Sequence, residues 1–412
     1  MRGFMIAVGS LALLSTTLRT ETVYTRRTNN PLREGAGAYY SLIVSVPENT
    51  ALEVKERSGN WVMVRLPDKR TAWIAASCLA DKKSDRMAAK SLAAVWSSPK
   101  ASKAGISAAI KGFAEKYGKT DPGNVDLVLK YTEKDFTAAE LASFSEEVRG
   151  CPSNNRGRLR IEDLDLTNPE YYPTLPEQQI GTGIAARIIH RGVVDNKPLH
   201  RYVNMICAAI AADAHIYDWD ITVIVLTDRT VNAFSVPGGY IFVTLGSILE
   251  CKDEAELAGM IAHEIAHLYR RHGLQEMSKR IAMIRSDEAF AELEAEVGDA
   301  TEDEKEMEDL VDHTYEKIIH PRLLSYELEA DKIGTILAAH AGYDPFGLVR
   351  VSDRIARIPK EQPDIFDFNY MLPDDAVERT TAISAFAEEN FKSDVPGARM
   401  VERFRLSTSA TR

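Results

Sequence analysis

The stretch Ile261-Ala262-His263-Glu264-Ile265-Ala266-His267 sets two histidines four positions apart, with a glutamate directly after the first. On a helix that spacing puts His263 and His267 one turn apart on the same face, where two imidazole nitrogens can share one zinc ion. Glu264 lies about 100° round the helix from His263, beside a metal rather than on it. From there its carboxylate can hold a water on the metal and take its proton. Ordinary residue frequencies produce this five-residue pattern by accident in roughly one chain of this length in a hundred. The rest of the chain must therefore decide.

A catalytic zinc keeps three protein ligands and leaves one position open. The third ligand should stand on a second helix facing the first. Ser325-Tyr326-Glu327-Leu328-Glu329-Ala330-Asp331 fits, because Glu327 and Asp331 share a face at i, i+4. Glu327 can then bind zinc while Asp331 accepts a ring N–H from a ligand histidine. Glu329 points elsewhere and reads as solvated. The expectation is one zinc ion per chain, held by His263, His267 and Glu327.

Three blocks together resemble the HtpX-like and CAAX-prenyl-endopeptidase (Ste-type) family of zinc metallopeptidases, closest to its soluble exported members. They are Asn232-Ala233-Phe234-Ser235-Val236-Pro237-Gly238-Gly239-Tyr240, then Ala255 through His267, then Glu327 through Asp331. The resemblance covers residues from about 176 to 350. It implies a peptide-bond hydrolase in which Glu264 is the general base. It also implies that Asn232, Ala233, Phe234, Pro237, Gly238 and Gly239 form a sheet edge beside the cleft. An edge strand there could pair with extended substrate backbone. Soluble members are associated with envelope protein quality control, so unfolded or misassembled polypeptide is the implied substrate. Relatives also carry a His-Pro segment before an arginine. Here the matching stretch, Tyr370 to Arg379, keeps Pro373 and Arg379 but has no histidine. That leaves the fourth metal position to water, with Asp374 or Asp375 as weaker competitors.

The group that steadies the oxyanion stays open. Tyr326, His320 and His272 are candidates, each with a plainer role: packing, capping before Pro321, and lying on the helix surface after Arg270-Arg271. His190, His200, His215, His313 and His340 lack a partner at helical spacing and read as structural or exposed.

The elements that must position these groups form a mainly α domain with a small sheet over 176–395. Pro198 opens a helix through Ala212, Ile221–Leu226 reads as a buried strand, and Val236–Gly239 turns between two more. Asp253 is an N-cap for the histidine helix, with Glu256 three residues on. Ahead of this domain the chain changes character. Residues 22–80 carry short β-rich runs between turns and resemble the bacterial SH3-like domains. The resemblance rests on Asn30-Pro31-Leu32-Arg33-Glu34-Gly35, Trp61-Val62-Met63-Val64 and Ala72-Trp73-Ile74, with Ala72 where a glycine usually stands. Four or five strands suggest a small barrel with both tryptophans in its core. Residues 81–150 read as a helical connector, 151–175 as a linker and 396–412 as a tail.

Residues 1–20 read as a signal peptide, since Arg2 precedes the 11-residue apolar run Phe4–Leu14. An exported chain, periplasmic or in the bacterial cell envelope, follows from that. No later stretch approaches the roughly 18 apolar residues a membrane span needs. The net charge of −11 argues against nucleic acid as a partner. Part of that charge is local, with 13 acidic residues and one lysine between Asp287 and Asp312, a run typical of a solvated helix face or loop. Cys78, Cys151, Cys207 and Cys251 are too few for a disulfide framework. Two other functions are compatible with these features: a zinc-binding chaperone that holds chains without cutting them, and a peptidase directed to the cell wall by the SH3-like domain.

Overall fold

Seven short strands lie between residues 22 and 80 in the computed structural model. The structure describes residues 21–27, 30–66, 69–83, 122–150, 175–213, 219–273, 275, 323–357, 373–392 and 397–411. The expected signal peptide, much of the connector, the linker, the acidic run 287–312, His215, His313, His320 and Cys151 lie outside them.

Strands β1 (Thr22–Thr25), β2 (Asn30–Arg33), β3 (Leu42–Val46), β4 (Ala51–Ser58), β5 (Trp61–Arg65), β6 (Thr71–Ala75) and β7 (Leu79–Ala80) form one antiparallel sheet. Its order is β3-β2-β6-β5-β4-β1-β7. The count exceeds the four or five expected because β1 and β7 are too short to show a period-2 pattern. Leu32, Val62, Val64 and Ile74 fill the interior, joined by Trp61, while Trp73 is half-buried against them. Asn30 is fully buried. Its side-chain amide donates to the Val46 carbonyl at 3.0 Å and its oxygen accepts from the Arg27 N–H at 3.2 Å. A buried amide needs such partners, which accounts for asparagine at the start of this segment.

Helices α1 (Pro122–Tyr131) and α2 (Ala138–Arg149) fall in the stretch expected as a connector. They belong instead to the C-terminal unit. Val125 and Val128 pack under the second sheet, and Phe136, Leu141, Phe144 and Val148 join the main core. Between the helices the buried Lys134 ammonium donates to the Ile221 carbonyl at 2.7 Å, Thr222 Oγ1 at 2.9 Å and Asn204 Oδ1 at 3.3 Å, which uses all three of its protons.

Next come α3 (Leu175–Ile188), α4 (Lys197–Asp213), β8 (Thr222–Leu226), β9 (Ala233–Val236), β10 (Tyr240–Thr244) and α5 (Leu245–Glu250). The sheet order is β8-β10-β9, with β8 parallel and β9 antiparallel to β10, so β9 stands at the edge. All three strands are buried throughout. The turn between β9 and β10 needs its two glycines. Gly238 and Gly239 adopt φ of 85° and 100°, and a Cβ on Gly239 would stand 2.6 Å from the Asp220 carbonyl.

Helix α6 (Glu254–Arg270) is buried on nearly every side, and α7 (Leu324–His340), α8 (Gly347–Ala356), α9 (Pro373–Asn390) and α10 (Val401–Thr408) complete the unit. Asp253 caps α6 by accepting from the Glu256 N–H at 3.0 Å. Glu256 does not close a reciprocal box, because its carboxylate accepts from the Lys252 N–H and pairs with Arg354. The first turn of α6 thus carries three buried acids, and arginines from distant sequence neutralise them. Arg399 meets Asp253, and Arg350 reaches Asp253, Glu256 and Asp344. Arg403 of α10 meets Glu254, which also accepts from the hydroxyls of Tyr202 and Tyr343 at 2.8 Å each. Arg399 and Arg403, in the stretch expected as a tail, thus dock on the start of the histidine helix. Among the described residues no helix is long and apolar enough to cross a membrane.

Candidate metal centre

Helices α6 and α7 pack closely along their length, and Gly334 permits the approach. A Cβ on Gly334 would lie 2.7 Å from the backbone nitrogen of His263 and 2.8 Å from its Cα. Glycine in mid-helix ordinarily costs about 0.5–1 kcal/mol relative to alanine. Here the sign should reverse. Gly334→Ala would push the two helices apart at the level of His263, and overpacking of this kind costs about 1–3 kcal/mol. The variant is expected to unfold at lower urea concentration and to hold less zinc. A variant as stable as the parent would show that the contact does not position the site.

That packing brings Glu327 and Asp331 over the histidines. His263 Nε2 and His267 Nε2 lie 3.0 Å apart, and the Glu327 carboxylate oxygens stand 3.4 Å and 3.2 Å from them. Ligands on a tetrahedral zinc with bonds of about 2.0–2.1 Å sit roughly 3.3–3.4 Å from one another, close to the 3.0–3.4 Å found here, with Glu327 turning a different oxygen to each ring. Two neutral imidazoles and one carboxylate are also a donor set suited to catalytic zinc. Among the described residues this is the group of donors able to hold a metal ion. The side chains of Asp374 and Asp375 lie outside those residues.

Glu264 Oε1 is 3.9 Å from His263 Nε2, beside the convergence point. His263, Glu264 and His267 are each no more than 2 % exposed, while Glu327 keeps 13 % of its side chain accessible. On its far side His263 Nδ1 faces Asp331 Oδ1 at 2.8 Å. Burial acts against protonation of His263, but Asp331 and Glu327 outweigh it and raise its pKa to about 9. Protons thus compete with a metal for this site.

Arg379 of α9, 2 % exposed, ties the carboxylates together. Its Nε and Nη2 meet the two oxygens of Asp331 at 3.0 Å and 2.9 Å, and its Nη1 meets Glu327 Oε2 at 2.8 Å. Burial would raise the pKa of both acids. The Arg379 guanidinium and the histidines overcome it, holding Glu327 well below and Asp331 below the usual carboxylate range. Sequence reasoning reached Arg379 only through the family pattern and gave it no partner.

His272 departs from the expectation of a surface residue. Helix α6 ends where Arg271 adopts a left-handed conformation, φ 53°, and the chain doubles back. This buries His272, 1 % exposed, with Nδ1 2.9 Å from His267 Nδ1 and Nε2 3.2 Å from Glu329 Oε2. Glu329, expected to be solvated, is 42 % exposed but pairs with both His272 and Arg270. Tyr326 stacks on the His272 ring at 4.2 Å and donates its hydroxyl to Gln275, away from the metal centre. His200 is buried with Nε2 at 2.9 Å from the Val194 carbonyl, His190 is exposed and His340 is half-buried.

Residues 195–393 match Peptidase family M48, and residues 30–80 match the Bacterial SH3 domain. Along the chain the match to the bacterial SH3 domain precedes the match to the M48 peptidases. Over 199 residues it is 29 % identical to a putative beta-barrel assembly-enhancing protease of Vibrio cholerae, covering 45 % of this chain and 39 % of that protein. It is 32 % identical over 196 residues to the mitochondrial metalloendopeptidase OMA1 of Schizosaccharomyces pombe, covering 47 % and 53 %. Against OMA1 of Arabidopsis thaliana the identity is 30 % over 167 residues, covering 40 % and 32 %. The chain spans between about a third and a half of the length of these relatives.

Proposed function

We propose that this chain is a zinc-dependent metalloendopeptidase that hydrolyses peptide bonds in unfolded or misassembled proteins of the bacterial cell envelope. The observation that carries the reading is the convergence of two imidazoles and a carboxylate within 3.0–3.4 Å, with Glu264 beside them. A purely structural site has no use for that fourth group. The relatives' names, a beta-barrel assembly-enhancing protease and the OMA1 metalloendopeptidases, support the reaction class, and the first supports an envelope setting. The apolar run Phe4–Leu14 supports export.

His263, His267 and Glu327 would hold the zinc, which supplies Lewis acidity for the attacking water and the scissile carbonyl. Glu264 takes the proton of the attacking water and passes it to the leaving amine. Its near-complete burial keeps bulk water from competing for that carboxylate. Asp331 faces the Nδ1 side of His263 and holds its ring with the Nε2 lone pair turned to the metal. Strand β9, at the sheet edge through Ala233 and Phe234 and closed by Pro237, Gly238 and Gly239, is the element to which extended substrate would align. The bacterial SH3 domain would bring the peptidase to cell wall or to an envelope protein.

Metal analysis with casein digestion tests the reading. One zinc per chain is expected, with cleavage lost to a chelator and restored by zinc. A chain that binds zinc, protects unfolded casein from aggregation and leaves it uncut would be a holding chaperone instead. Retention of the full-length chain on purified peptidoglycan checks the role given to the SH3 domain.

The ligand set has its own check. Glu327→Ala is expected to lower zinc content outright, and Asp331→Ala to weaken zinc affinity by roughly 10–100-fold. Wild-type zinc affinity in both would remove α7 from the metal centre.

A further inference from the structure

We propose that His272 is a positioning residue that fixes the ring of His267 through a directed chain, Glu329 to His272 to His267, anchored by the stacked ring of Tyr326. The inference rests on the reading of His267 as a zinc ligand. Its observations are separate from that reading: a buried histidine on the far side of His267 from the metal centre, bonded at both ring nitrogens.

The direction of the chain follows from valence. If His267 is to offer the Nε2 lone pair, its proton sits on Nδ1. That N–H points at His272 Nδ1, 2.9 Å away, which must then accept. The His272 proton is left on Nε2, from which it is donated to Glu329 Oε2 at 3.2 Å. Every bond has one donor and one acceptor, and no other arrangement of neutral rings satisfies all three groups. Tyr326, its ring within 8° of parallel, prevents His272 from tilting out of line. The left-handed Arg271 just before it is a conformation few non-glycine residues adopt, and it returns His272 to the last turn of the helix. His263 and His267 are thus held from behind by different means, one by the carboxylate of Asp331 and the other by an imidazole backed by a carboxylate.

Zinc affinity of the full-length protein, measured by competition with a chromophoric chelator, tests the role. Removal of a group that orients a metal-bound histidine typically weakens metal binding 10–100-fold. His272→Leu is expected to lose that much. His272→Asn, whose side-chain oxygen can accept near the Nδ1 position, should recover most of it. Glu329→Ala should lose affinity in the same direction by less, and because that side chain is 42 % exposed its folding is not at stake. Arg270→Ala removes the other partner of Glu329 and should leave affinity unchanged. The visible bands of the cobalt-substituted protein should shift in His272→Leu and return in His272→Asn. Equal losses in the leucine and asparagine variants would reduce His272 to packing. A folded His272→Leu that binds zinc normally but cuts slowly would move His272 to the substrate side. Either result overturns the proposal. A wild-type chain that binds no zinc would instead sink the metallopeptidase reading, and this role with it.

Discussion

Glu264→Gln is expected to lower cleavage of unfolded casein by at least about a hundredfold while one zinc per chain stays bound. Glutamine keeps the shape and a hydrogen-bonding oxygen, so α6 should be undisturbed, although Glu264 is only 1 % exposed. What disappears is the ability to accept a proton from water and return it to the amine. General-base catalysis alone is worth on the order of 10²–10⁴ in rate. The carboxylate is 3.9 Å from His263 Nε2, too far to share the coordination distances of the three ligands. Metal analysis and rate therefore separate the two roles cleanly. A variant that cleaves at more than about a hundredth of the wild-type rate would strip Glu264 of its role as base. A variant that loses zinc would make it a ligand.

The second large effect should come from Arg379→Met. Methionine fills much of the same volume but leaves Glu327 and Asp331 buried without their shared cation. Breaking a buried pair by deleting one partner costs about 3–5 kcal/mol, because the remaining charge is stranded. Here one side chain serves two acids, so metal-free Arg379→Met is expected to lose at least that much unfolding free energy in urea. Arg379→Lys should recover only part, since an ammonium cannot match the paired contacts to Asp331. The pH dependence has a definite sign. Both acids are held below their ordinary values. Their contribution is complete above the usual carboxylate pKa of about 4 and is lost as pH falls through the depressed folded values. In Arg379→Met that loss should begin at higher pH. Equal unfolding free energies across the pH range would mean the guanidinium does not stabilise the pair.

The candidate metal-binding face was legible because it is local. His263, Glu264 and His267 share one helical turn, Asp253 caps that helix from one residue before it, and the glycines at 238 and 239 announce their turn. Glu327 was reached by asking where a third ligand must stand. His272 was misplaced because the helical register was carried through Arg271, and nothing in an arginine announces a left-handed residue. The contacts that fix the unit's extent are remote in sequence. Lys134 bonds to Ile221 and Thr222, 87 and 88 positions away, and Arg403 meets Glu254 across 149. A reading that moves along the chain treats such segments as connector or tail, because their composition gives no hint of a partner that far off.

The arginines that neutralise the first turn of α6 also set an order of events during synthesis. Asp253 and Glu254 are made nearly 150 residues before Arg399 and Arg403. Until the segment bearing Arg399 and Arg403 has joined the fold, the acids at the start of the histidine helix lack these counterions. The start of the histidine helix is therefore complete only once the C-terminal arginines have docked on it.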